Sequence, residues 1–135
     1  MKIVLDTNVL VSALLTRGGP CATILDMVLA GALTLCMDER IFAEYERVCK
    51  APRLQLDPAS VHTVLGFLRE MAERVTPALL GSSLPDPDDR PFLETARTAK
   101  AILITGNLKH FPVKLCHPTR VIAPSGFLAL LRMQR

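Results

Sequence analysis

The chain has 135 residues, half of them apolar and 21% charged, which suits one folded domain with a real core and excludes a disordered chain. Its apolar runs, such as residues 101–104, are too short to cross a bilayer, and Asp6 interrupts the N-terminal apolar stretch where a secretory signal would have to continue. No membrane partner is expected, and the expected location is cytoplasmic. A net charge of +3 permits nucleic acid as a partner without requiring it, because a localised basic patch decides binding rather than the total.

Residues Lys2–Leu5 form a short apolar run with β-branched members, ending at Asp6, and read as a buried strand. From Thr7, Val9, Leu10, Ala13 and Leu14 keep helical spacing until Arg17-Gly18-Gly19-Pro20 breaks the chain. Pro20 suits the first turn of a second helix, which carries Ile24, Leu25, Val28 and Leu29 on one face and stops at Gly31. Residues 33–37 read as a second strand. Asp38 can cap a helix running to about Lys50, with Ile41, Phe42, Tyr45 and Val48 facing inward. Asp57-Pro58 opens another helix with Val61, Val64, Leu65, Leu68 and Met71 inward, and a third strand is expected around residues 74–76.

Residues 81–89 are rich in turn formers and acids. Residues 90–100 then read as a helix, 101–105 as a buried strand ended by Gly106-Asn107, 121–122 as the last strand, and Pro124-Ser125 as the start of a terminal helix through Leu131. Short apolar strands alternating with helices predict a single α/β domain over residues 1–135 with a mainly parallel central sheet. Cys21, Cys36, Cys49 and Cys116 show no CxxC pairing and no metal-like spacing with His62, His110 or His117, so they read as reduced, core-filling thiols.

In such sheets, ligands bind beyond the carboxyl ends of the strands. Asp6 and Asn107 each follow a strand, Glu44 lies one turn or so into the helix after the second strand, and Asp86 and Asp89 open the helix before the 101–105 strand. Converging carboxylates repel one another and are expensive to bury, so such a cluster makes sense with a hard divalent cation, Mg²⁺ or Mn²⁺. Asn8 can steady Asp6 through its amide. Taken singly, each residue has a plainer account: Asp6-Thr7-Asn8 and Asp86 to Asp89 as helix caps and turns, Glu44 as a solvated helix residue, Asn107 as a turn former. Their joint order and strand-end placement favour the metal.

Asp6-Thr7-Asn8 has the spacing of a phosphoryl-transfer aspartate pair, but Asn8 removes the general acid that chemistry needs. Gly18-Gly19 lacks the Lys-Ser/Thr of a phosphate loop, and Ser12, Ser60 and Ser125 lack the context of a hydrolase nucleophile. Arg17, Arg90, Lys109 and His110 are the basic candidates for nucleic-acid contact near the rim. His110 reads as a surface-loop histidine, with a proton shuttle as the alternative.

Four segments carry a family resemblance: Ile3-Val4-Leu5-Asp6-Thr7-Asn8-Val9-Leu10; Glu44-Tyr45-Glu46-Arg47-Val48; Asp86-Pro87-Asp88-Asp89-Arg90-Pro91-Phe92-Leu93-Glu94-Thr95-Ala96; and Ile102-Leu103-Ile104-Thr105-Gly106-Asn107. In that order they resemble PIN domains, specifically the VapC-like toxins of bacterial toxin–antitoxin pairs. The resemblance implies a three-layer αβα sandwich and Mg²⁺- or Mn²⁺-dependent cleavage of RNA. It matches Asp6, Glu44 and Asp89 to the family's metal-binding acids, Asp86 to a supporting acid, and Thr105 to a hydroxyl that orients Asp6 or a bound water. Asn107 stands where this branch often has Asp, which removes one negative charge. The resemblance further implies a homodimer and a cognate antitoxin that blocks the acidic cleft. A non-catalytic PIN-like module binding RNA or protein, or a nuclease directed at DNA or at particular nucleic-acid structures, stands as the alternative.

Overall fold

The computed structural model describes residues 1–81 and 84–134. Among these, five strands alternate with seven helices: β1 (Lys2–Leu5), α1 (Thr7–Leu15), α2 (Pro20–Leu29), β2 (Thr34–Met37), α3 (Glu39–Cys49), α4 (Pro58–Met71), β3 (Glu73–Arg74), α5 (Arg90–Ala99), β4 (Ile102–Ile104), α6 (Val113–Cys116), β5 (Val121–Ile122) and α7 (Pro124–Met133). Short 3-10 turns at Pro52–Leu54, Pro87–Asp89 and Leu108–His110 punctuate the connections.

All strand pairs are parallel, in the order β3-β2-β1-β4-β5. Ile3, Val4 and Leu5 pair with Ile102, Leu103 and Ile104. Helices cover both faces in a three-layer α/β arrangement, which is why the central strands are uninterrupted apolar runs rather than alternating ones. Ile3, Val4, Leu103 and Ile104 have no solvent exposure. Helix α5 packs on β1, β2 and β4, while α2 packs against both α1 and α7.

The order of strands has a functional consequence. The chain begins at the centre with β1, builds outward through β2 and β3, and returns to the other side of β1 with β4 and β5. The direction of winding therefore reverses between β1 and β4, and the carboxyl ends at such a reversal splay apart to leave a crevice. Asp6 leaves β1 at that point, with its backbone N–H bonded to the Ile104 carbonyl at 2.9 Å.

Most expected elements fall within a residue or two of the observed ones. Three details differ. Met71 is exposed rather than inward, because the buried stripe of α4 passes through Val61, Leu65 and Leu68 and leaves the helix before Met71. In α3 the stripe Ile41, Phe42 and Tyr45 continues to Cys49, and Val48 turns toward a surface hollow. The third strand is the charged pair Glu73–Arg74, an edge strand held by Lys2–Glu73 at 2.9 Å and by an ion pair between Arg74 and Glu39. Cys36, Cys49 and Cys116 are buried free thiols and Cys21 is half-buried. Among the described residues, no single helix is long and apolar enough to cross a membrane.

Candidate metal centre

Four helix-opening positions are aspartates, and they divide into two kinds. Asp38 and Asp57 are N-caps in the ordinary sense, accepting from the Ile41 N–H at 3.0 Å and the Ser60 N–H at 3.2 Å. Asp6 and Asp89 occupy the same position on α1 and α5, yet among the described residues neither makes a side-chain cap bond of that kind. Both are buried, with 6% and 8% exposure. Two carboxylates that forgo capping and sit out of water at a sheet crevice are poorly explained as helix punctuation.

Asp6 is held from the opposite strand. Thr105, fully buried at the end of β4, donates from Oγ1 to Asp6 Oδ2 at 2.7 Å, and Thr105 Oγ1 in turn accepts the Asn107 N–H at 3.0 Å. The Asn8 amide lies 3.4 Å from the same Asp6 oxygen, at the long limit of a hydrogen bond, while its carbonyl accepts the Gly106 N–H at 3.0 Å. A side chain at position 106 would press on Asn8, since a Cβ there would lie 3.3 Å from the Asn8 oxygen. Burial raises the Asp6 carboxyl pKa above its ordinary value, opposed by the Thr105 hydroxyl, the Thr7 N–H and the charge of His110.

Asp89 is the less satisfied of the pair. Among the described residues its Oδ2 is buried without a hydrogen-bond partner. His110 Nδ1 approaches that oxygen to 2.9 Å, but outside hydrogen-bond alignment. Burial, then the charge of Asp6, and to a lesser extent that of Asp86, push the Asp89 carboxyl up to about 6, against the opposing pull of His110.

Glu44 reaches the rim from α3. Its Oε2 accepts the Thr7 hydroxyl, and its Oε1 lies 3.7 Å from Arg47. Asp86 opens the 3-10 turn before α5, where its Oδ1 accepts the Asp88 N–H at 2.9 Å, so it serves as turn former and rim acid together. The segment leading to it is tied down by Glu94, a carboxylate buried in α5, which accepts from Leu80 N–H at 2.9 Å and Arg40 Nη1 at 2.7 Å.

Thr7, Asn8, Glu44, Asp86, Asp88 and Asp89 line one hollow of about 550 Å³. A larger hollow of about 750 Å³ lies between α1, α2 and α4; it is mostly apolar and holds Arg17 but none of the rim acids. Arg17 is therefore away from the acidic rim. Arg90 is also committed elsewhere, donating to the Leu80 carbonyl at 2.9 Å. Lys109 is exposed beside the rim, and Arg53, which the sequence did not single out, lines the acidic hollow. Of the four basic candidates, His110 is the one whose side chain meets a rim acid, Asp89, and Thr7 bonds Glu44 besides opening α1. The signal for His110 was its place three residues past Asn107, on the same strand-end rim.

The donor chemistry fits a divalent cation. One ligand atom each from Asp86, Asp89 and His110 falls within 4.8 Å of the others, and the unpartnered Asp89 oxygen is an unmet demand for positive charge.

Residues 2–109 match the PIN-domain family, so the chain is a PIN-domain protein; PIN domains are generally nucleases and typically use divalent metals. The chain is 29% identical over 110 residues to an uncharacterized protein of Methanocaldococcus jannaschii, an alignment spanning 79% of this chain and 71% of that protein. Its fold is also that of a chain in the crystal structure of VapBC2 from Rickettsia felis bound to a DNA fragment from their promoter, with a TM-score of 0.57, 17% identity, and coverage of 91% of this chain and 98% of the other. At that identity the likeness establishes the fold.

Proposed function

We propose that this protein is a metal-dependent endoribonuclease and the toxin of a toxin–antitoxin pair. The observation that carries the reading is the buried pair Asp6 and Asp89, which open helices at the β1/β4 crevice without capping them. Membership of the PIN-domain family supports nuclease chemistry, and the likeness to a chain of VapBC2 supports the toxin assignment.

Asp6 and Asp89 would form the ligand set that holds Mg²⁺ or Mn²⁺. When bound, the cation supplies neutralising charge at the scissile phosphodiester and lowers the pKa of a water. Thr105 fixes the orientation of Asp6, and Thr7 that of Glu44, so neither carboxylate has to be ordered when substrate arrives. Glu44 would either complete that set or orient the attacking water, and Asp86 and Asn107 would tune the rim. Arg53 in the hollow, Arg47 beside Glu44 and exposed Lys109 provide phosphate contacts. Six aromatic residues in the whole chain leave little for base stacking, which favours recognition of backbone and shape. A homodimer, a cognate antitoxin over the cleft and a cytoplasmic location belong to the same reading.

The test is cleavage of a cellular RNA pool by wild type and Asp6→Asn in Mg²⁺, Mn²⁺ or EDTA, with single-stranded DNA in parallel. Metal-dependent cutting of RNA by wild type alone is expected. Equal cutting by the variant overturns the site. Cutting confined to DNA overturns the substrate, and RNA binding without cutting in any metal makes the protein a binding module.

A further inference from the structure

We propose that His110 is itself a ligand of the cation, through Nδ1, and that with Asp89 and Asp86 it makes a mixed nitrogen–oxygen site selecting a first-row transition ion over Mg²⁺. The inference rests on the reading that Asp89 holds a cation, and deepens it by naming the metal class. The family match takes in Asp6, Glu44, Asp86, Asp89, Thr105 and Asn107 and ends one residue short of His110.

Three observations support it. First, His110 Nδ1 lies 2.9 Å from Asp89 Oδ2, a buried oxygen that meets no other polar partner among the described residues. Two ligands at right angles on one cation, each about 2.1 Å from it, lie about 3.0 Å apart. The observed spacing lets both atoms reach one cation. Second, the backbone that carries the imidazole is held by the fold: the His110 backbone N–H bonds the Asn107 carbonyl at 3.1 Å, and the next residue, Phe111, is buried. The 3-10 turn Leu108–His110 thus returns the ring to the rim that β4 opens onto. Third, the charge on the rim suits the substitution of donors. Asn107 contributes no negative charge, and an imidazole at the site replaces an oxygen donor with the nitrogen that Co²⁺ and Zn²⁺ accept more readily than Mg²⁺.

The experiment uses the full chain and the metals alone. Mg²⁺, Mn²⁺, Co²⁺ and Zn²⁺ are titrated by calorimetry into wild type, His110→Ala, His110→Asn and Asp89→Asn, with the visible absorption of bound Co²⁺ and the ¹⁵N imidazole resonances as independent readouts. His110→Ala and His110→Asn are expected to weaken Co²⁺ and Zn²⁺ binding about tenfold or more, a ligand-scale loss, and to change Mg²⁺ binding less than twofold. Zn²⁺ should shift the His110 Nδ1 resonance and spare those of His62 and His117. Equal loss for all four metals, or no loss for any, overturns the ligand role of His110. Undiminished binding by Asp89→Asn overturns instead the reading of Asp89 on which it rests.

Discussion

The Tyr45 hydroxyl donates a 2.6 Å hydrogen bond to the backbone carbonyl of Leu5. Tyr45 is fully buried on α3, next in sequence to Glu44, and Leu5 ends β1, next to Asp6. One bond between residues 40 apart therefore fixes the separation of the two elements that deliver two rim acids. Burial, with the nearby charges of Asp6 and Glu44, raises the Tyr45 phenol well above its ordinary pKa, so it stays a neutral donor throughout the physiological range.

Tyr45→Phe keeps the ring and removes only that donor. Loss of a partner to a buried carbonyl is expected to destabilise the fold by about 1–3 kcal/mol, measured by urea denaturation. Because Glu44 loses its fixed distance from Asp6, cation affinity should fall as well. A variant that loses stability with unchanged cation affinity would show that Tyr45 supports packing alone.

Thr105→Val is the matching test on the other strand. The change is nearly isosteric but leaves Asp6 without its 2.7 Å donor and the Asn107 N–H without its acceptor. Cation affinity is expected to drop by about tenfold, the scale seen when a residue that orients a ligand is removed. Thr105→Ser should restore most of it. Recovery by Ser but not Val is the signature of a hydroxyl role rather than of space filling.

The sequence carries the fold well because it is strongly periodic where the core lies. Ile3 to Leu5 and Ile102 to Ile104 are apolar without a break, as strands buried on both faces must be, and Asp6 and Asp89 mark helix starts. What it conceals is decided by tertiary packing. Nothing local distinguishes Asp38, which caps, from Asp6, which is instead taken by Thr105 99 positions away. Arg90 reads as a free cation until the Leu80 carbonyl is seen to hold it, and Arg53 reads as a helix-end residue until α3 and α1 enclose the hollow beside it. Glu44 acquires meaning only through Thr7 and Tyr45.

The elevated carboxyl of Asp89 gives stability a pH dependence with a definite sign. Its folded value of about 6 lies above the ordinary 3.8, so the folded, metal-free protein holds this proton more tightly than the unfolded chain. The stabilisation is fully present below about pH 4 and lost as pH rises through about 6. Asp6 is shifted in the same direction. In EDTA, Asp89→Asn should therefore raise the melting temperature relative to wild type by several degrees at pH 7.5, and by less at pH 5. With saturating Mn²⁺ at pH 7.5 the wild type should regain the advantage, because only it gains the binding energy. A difference that ignores both pH and metal would mean that the buried charge at position 89 is already compensated.

Basic residues should divide by where their side chains are placed. Arg53 lines the acidic hollow, whereas Arg17 belongs to the apolar hollow between α1, α2 and α4, and Arg90 is bound to Leu80. In an Asp6→Asn background, to prevent cleavage, Arg53→Ala is expected to weaken binding of single-stranded RNA and to reduce the slope of log affinity against log salt by about one unit. Arg17→Ala should leave affinity and slope unchanged. Arg90→Ala should lower thermal stability instead, since its guanidinium supports the segment that carries Asp86 rather than a phosphate. If Arg17 and Arg53 contribute equally, RNA must spread across the apolar hollow too, and the path of the bound strand would run along α1 instead of ending at the rim.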